Sequence, residues 1–174
     1  MMLRVFAIVS LVTVGPSPAM ASPQQRPSAE CPVTQPNHHS RPDRSDGMPA
    51  GMVETWFGNS VLGTALWADG KVVFKPGGPG TVLSDGALRM KFFWLKTRGT
   101  RLVVTGNRID DASVLLRTDI SHTFDSQGFQ PSYLIFATPG CWRVTARAGD
   151  ETLSFVTLVV KIGNGPVSVR APGL

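Results

Sequence analysis

A chain of 174 residues, 42% apolar and only 17% charged, is sized for one domain with a real core, and that balance excludes global disorder. Its 18 Gly and 14 Pro favour a turn-rich all-β chain over a helical one. The formal net charge of +5 comes mostly from scattered Arg with no Lys/Arg run, which argues against a nucleic-acid partner.

Residues 1–21 have the layout of a secretory signal peptide. Arg4 supplies a positive charge, residues 5–14 are almost uninterruptedly apolar, and Ala19-Met20-Ala21 offers small residues before a cut after Ala21. The apolar run is about half the roughly 20 residues that a membrane-spanning helix needs. No other transmembrane segment is expected once it is removed. Glu30 just before Cys31 is wrong for lipid attachment. The expected product is periplasmic or extracellular, with a formal charge of about +4 after Arg4 is lost.

Residues 22–51 are rich in Pro, Ser, Arg and Asp and poor in large apolar side chains. Such composition buries too little surface to offset ordering entropy, so an extended tail is expected, lying over the domain or free. The folded domain is expected over 52–174. Short strands are read at 54–57, 62–67 and 71–75, with Ala68-Asp69-Gly70 as a hairpin turn between the last two. The 75–80 loop, Lys-Pro-Gly-Gly-Pro-Gly, lacks the Lys-Ser/Thr and following helix of a phosphate-binding loop.

Residues 88–95 alternate cleanly: Leu88, Met90, Phe92 and Trp94 share one face, and Arg89, Lys91 and Phe93 the other. Further strands are read at 102–105 and 114–116, flanking an Asp110-Asp111 turn, and 120–130 reads as an irregular connection. Residues 129–162 carry the strongest signal: a strand, a Pro-Gly corner, a second strand, a tight Gly149-Asp150 turn and a closing strand. About eight short strands with regularly spaced turns predict an antiparallel immunoglobulin-like β-sandwich of about 7–9 strands, with Trp56, Trp67, Trp94 and Trp142 in its core.

Thr138-Pro139-Gly140-Cys141-Trp142-Arg143-Val144-Thr145, followed by a Gly/Asp turn and a Val-rich strand, resembles the closing hairpin of bacterial immunoglobulin-like domains. With Ala65-Leu66-Trp67, Asp69-Gly70, Gly128-Phe129-Gln130 and Leu134-Ile135-Phe136, the pattern over about 55–162 is similar to a family of uncharacterised secreted bacterial proteins. The resemblance implies architecture and carries no assigned chemistry.

Five sets of residues are weighed for function. Alternation places Cys141 on the outward side of its strand, within reach of a passing tail, so a Cys31–Cys141 disulfide is expected; free thiols or intermolecular pairing are the alternatives. Such a bridge closes a loop of roughly 110 residues and contributes on the order of 4–5 kcal/mol. Arg89, Lys91 and Phe93 on one strand and Arg143 and Arg147 on another form a candidate binding surface, combined if the two strands share a sheet. A flat aromatic platform for sugar or peptide and an attraction for anionic envelope polymers or acidic proteins are the chemistries considered; solubility is the plainer account.

His38, His39, His122, Met48 and Met52 are the weaker metal alternative, of copper-handling type, although adjacent histidines in extended chain point to opposite sides. Asp119, Ser121, His122, Asp125 and Ser126 cluster in sequence without a Gly-x-Ser-x-Gly elbow, and read as turn chemistry before hydrolase chemistry. Glu54, Asp110, Asp111 and Glu151 read as turn or surface carboxylates rather than a glycosidase pair. The expectation is a non-catalytic exported module without cofactor, holding an unknown envelope component; a metal-chaperoning domain and an unrecognised hydrolase are the alternatives.

Overall fold

A computed structural model describes residues 30–37, 54–121 and 128–167. The expected signal peptide, most of the tail with His38, His39, Met48 and Met52, and the segment with His122, Asp125 and Ser126 lie outside those residues.

Among the described residues, ten strands build two packed sheets: β1 (Trp56–Gly58), β2 (Leu62–Ala65), β3 (Lys71–Phe74), β4 (Thr81–Val82), β5 (Leu88–Lys96), β6 (Leu102–Arg108), β7 (Arg117–Ile120), β8 (Gly128–Phe136), β9 (Gly140–Ala148) and β10 (Glu151–Lys161). One sheet runs β1-β2-β5-β8-β7, with β4 also on β5; the other runs β3-β10-β9-β6. The chain is therefore an all-β sandwich, as its alternation predicts. The pairings of these strands are antiparallel except that β3 lies parallel to β10, with Lys71 opposite Leu158.

The periodicity sets the core. Along β5, Leu88, Met90, Phe92 and Trp94 are buried; along β9, Trp142, Val144, Ala146 and Ala148 are. They meet Leu134, Phe136 and Phe155 in one apolar cluster. Two indoles of this cluster donate a hydrogen bond, Trp94 Nε1 to Ser132 Oγ at 3.1 Å and Trp142 Nε1 to the Thr138 carbonyl at 3.1 Å, whereas the buried Trp56 Nε1 meets no acceptor among the described residues. An unpaired N–H at such depth would lose its water without replacement. Trp67 packs against this cluster, half-buried. Trp56 is buried outside it, with its indole over Gly63, where any Cβ would collide with the ring.

Pro131 stands opposite Phe93 in the body of β8, where a proline would ordinarily break a ladder. Phe93 aims its carbonyl away from β8, at Thr64 Oγ1 (2.7 Å), so this is a non-hydrogen-bonded pair and needs no N–H from position 131. On the other side β7 pairs only as far as Ser132. Neither neighbour is denied a donor.

Three expectations shift. The Ala68-Asp69-Gly70 turn does not close a hairpin: with Asp69 at φ 54° and Gly70 at φ 64°, it carries the chain from the first sheet to the second. Residues 114–116 form no full strand; Leu115 makes one bridge to Asn107, and the strand begins at Arg117. Finally β8 starts at Gly128, inside the stretch read as irregular. The Gly149-Asp150 turn joins β9 and β10 as expected, with Ala148 opposite Glu151.

The described part of the tail is a strap. Cys31 is bonded to Cys141 with Cα atoms 5.5 Å apart. Thr34 then accepts the Val156 N–H on its hydroxyl at 2.8 Å and donates its own N–H to the Val156 carbonyl at 3.0 Å. Asn37 ends the strap on β1, exchanging side-chain bonds with the Gly58 N–H and carbonyl. Residues 31–37 thus tie β9 and β10 of one sheet to the β1 margin of the other.

Candidate functional site

The two halves of the predicted binding surface lie on different sheets. Arg89, Lys91 and Phe93 are on β5 in the six-stranded sheet, and Arg143 and Arg147 are on β9 in the four-stranded sheet. Both sets point outward, because Phe92/Trp94 and Trp142/Val144 take the inner positions. Two outward faces of one sandwich look away from each other, so no combined surface forms.

On the six-stranded side, register joins β5 to β8: Arg89 faces Ile135, Lys91 faces Tyr133, Phe93 faces Pro131 and Leu95 faces Phe129. The Phe93 and Phe129 rings stack with centroids 5.4 Å apart and planes 16° off parallel, and Phe129 remains 55% exposed. Arg89 lays its guanidinium 3.5 Å from the Tyr133 centroid and pairs with Asp119 at 3.2 Å. Cation–π and ion-pair contacts together fix the planar fork over the ring. Lys91 is exposed and pairs with no carboxylate among the described residues. Arg117 pairs with Asp85 at 2.7 Å. The Ala87 N–H, and then Arg117, hold the Asp85 carboxyl below the usual carboxylate range.

On the four-stranded side, β9 presents Cys141, Arg143, Thr145 and Arg147 outward. Arg143 and Arg147 are exposed; Arg147 Nε donates to the Gly149 carbonyl at 2.9 Å, and neither meets a carboxylate among the described residues. Between them lies a hydroxyl row, Thr105 opposite Thr145 opposite Ser154, with Thr145 and Ser154 hydroxyls 3.0 Å apart.

The remaining candidates are placed singly. Asp119 is engaged by Arg89, and Ser121 accepts a bond on its carbonyl from Gln130 at 2.7 Å. Asp110 is held below its ordinary range by its bonds from Arg108, whose own pKa Asp110 raises in turn; Asp111 is lowered by the Ser113 hydroxyl and N–H. These are turn carboxylates at the end of β6. Glu151 accepts from Asn59 at 3.2 Å, and Glu54 is exposed. Among the described residues no three His, Cys, Asp or Glu side chains group as metal ligands. A shallow groove of about 210 Å³ runs between the β6 and β7 edges, lined by Arg101, Leu102, Val103, Val104, Thr118 and Ile120. No helix among the described residues is long and apolar enough to cross a membrane.

Sequence reasoning missed Phe129, Tyr133 and Lys71. The first two were accessible to it: a strand starting at Gly128 puts Phe129, Pro131, Tyr133 and Ile135 on one face by alternation alone. Lys71 required the parallel β3–β10 pairing, which no local pattern announces. No protein-family model matches the chain, and no curated protein does.

Proposed function

We propose that the protein is an exported, non-catalytic binding module of immunoglobulin-like type, related to the secreted bacterial family it resembles, which holds a protein component of the cell envelope or medium on the outer face of its six-stranded sheet. The observation that carries this reading is the half-exposed Phe129 ring stacked on Phe93. Rigid aromatic rings rimmed by Arg and Tyr are the composition of protein contact surfaces, and they bury much area at little entropic cost. Arg89 and Arg117 already have carboxylate partners, so their burial would not strand a charge. Lys91 has none among the described residues, so the matching partner presents an apolar anchor for the rings and a carboxylate for this ammonium.

The test places a photo-crosslinking residue at position 129 of the full disulfide-bonded chain, and at 145 on the opposite face as control. One discrete adduct from position 129, lost in Phe93→Ala with Lys91→Glu, is the expected result. Adducts of the same size from both positions, or none from 129, overturn the proposal.

A further inference from the structure

The four-stranded sheet carries a feature the sequence does not display. Its outward positions run Lys71 and Val73 on β3, Thr152 to Val160 on alternate residues of β10, Cys141 to Arg147 on β9, and Val103, Thr105 and Asn107 on β6. No Asp or Glu occupies any of them. Four exposed cations do occupy this face or extend it. Lys71 is level with Cys141, two strands away through Leu158. Arg143 and Arg147 stand on β9, and Arg101 lies two residues beyond Val103, the partner of Arg147.

On a lattice of about 3.3 Å per residue and 4.8 Å per strand, successive cations are spaced roughly 12, 13 and 8 Å apart. They fall along a broken diagonal from the β3 margin to the β6 end, and the Cys31–Thr34 strap crosses its Lys71–Arg143 leg, so Arg143, Arg147 and Arg101 form its open stretch. The flanking carboxylates are Glu30 beside Cys31, Asp69 in the turn before β3 and Asp150 in the β9–β10 turn. None forms an ion pair with the four cations.

We infer that this diagonal is a docking track for a linear anionic polysaccharide. Charge complementarity selects a polyanion: no carboxylate among the described residues relieves the repulsion among like charges on the face, and a chain of anions relieves it at every site. Arg forks donate paired hydrogen bonds to sulfate, phosphate or carboxylate. The Thr105–Thr145–Ser154 row lies between the two β9 arginines and offers hydroxyls at the level where a sugar ring would sit between two anionic groups. An acidic peptide fits less well, because β9 is an inner strand whose backbone is already paired on both sides and cannot be extended by another strand. This track lies on the face opposite the protein contact proposed above and stands without it.

The full disulfide-bonded chain is titrated with dextran sulfate, and with dextran of equal length as the uncharged control. Binding to the sulfated polymer alone, weakening as salt rises, is expected. Arg143→Gln and Arg147→Gln should each reduce affinity about fivefold, and the pair about 25-fold. Both side chains are exposed, so circular dichroism of the variants should match the parent. Phe93→Ala with Lys91→Glu, on the other face, should bind as the parent does. Equal affinity of the double arginine variant and the parent would overturn the track. So would equal loss from the opposite-face variant, or tighter binding of poly-L-glutamate than of dextran sulfate, which would mark an acidic protein segment as the ligand.

Discussion

Outside the six-stranded sheet, each arginine of the ladder already has a partner: Arg89 lies on the Tyr133 ring and against Asp119, and Arg117 meets Asp85. Outside the four-stranded sheet, Arg143 and Arg147 meet no carboxylate among the described residues, and hydroxyls fill the space between them. The residue types are the same and the consequences opposite. Local neutralisation leaves the first face dominated by its rings, where contact is short-ranged and needs shape. The second face keeps its field and can attract at a distance. One sandwich thereby separates two kinds of recognition by the thickness of its core, about 10 Å between sheets.

The largest expected effect tests how the strap enters this division. Replacing Cys31 and Cys141 together by Ser removes a cross-link between residues 110 apart in sequence and should lower unfolding free energy by about 4 kcal/mol in urea titrations. The loss should be local first. Amide exchange should rise at Val156, whose N–H is held by Thr34, more than at Phe92 or Leu134 in the six-stranded sheet. A uniform rise would show that the strap serves both faces alike. Next in size is a contrast between the two core indoles. Ser132→Ala strips the hydroxyl from Trp94 Nε1 and should cost about 1–3 kcal/mol. Thr138→Ala leaves the carbonyl that Trp142 uses and should cost about 0.5 kcal/mol. Equal costs would mean that the two sheets do not differ in how they satisfy their buried donors.

The inner halves of both sheets were legible because alternation is a local property. Leu88 to Trp94 and Trp142 to Ala146 declare their face in the order of the residues, and every one assigned inward is buried. Cys141 was placed outward by the same count, and its bridge to Cys31 followed from reach and compartment. Sheet membership was not legible. The Asp69-Gly70 turn has hairpin chemistry, yet β3 finds a better apolar neighbour in β10, with Val72 and Phe74 delivered into the core on that side. That choice is made by burial over long sequence separation, and it decides whether Arg89 and Arg143 share a surface. Pro131 in the body of β8 is tolerated for a reason the sequence does not carry, since only the Thr64–Phe93 bond reveals that its pair needs no donor.

A smaller effect concerns what the rings contribute to the fold itself. Phe129→Ala removes a half-exposed ring and one stacked contact, so it should change stability by only about 0.5–1 kcal/mol. If thermal denaturation shows a loss of several kcal/mol, Phe129 is core in function, and the six-stranded face is not the surface its exposure implies.

The smallest effect separates the faces by acid. Asp85 on the six-stranded side has a folded pKa held below the ordinary carboxylate range, by the Ala87 N–H first and Arg117 after it. A depressed carboxylate stabilises the fold above its unfolded value, near 4, and that contribution disappears as pH falls through the folded value. Asp85→Asn should therefore lower Tm slightly at pH 6, and the difference from the parent should shrink to nothing once pH falls below the folded value. Arg143→Gln has no carboxylate partner to lose among the described residues, so its Tm offset, whatever its sign, should stay flat over the same range. An Arg143→Gln offset that closes on acidification, as that of Asp85→Asn does, would reveal a carboxylate neutralising the four-stranded face. The field on which the polysaccharide track depends would then be absent at neutral pH.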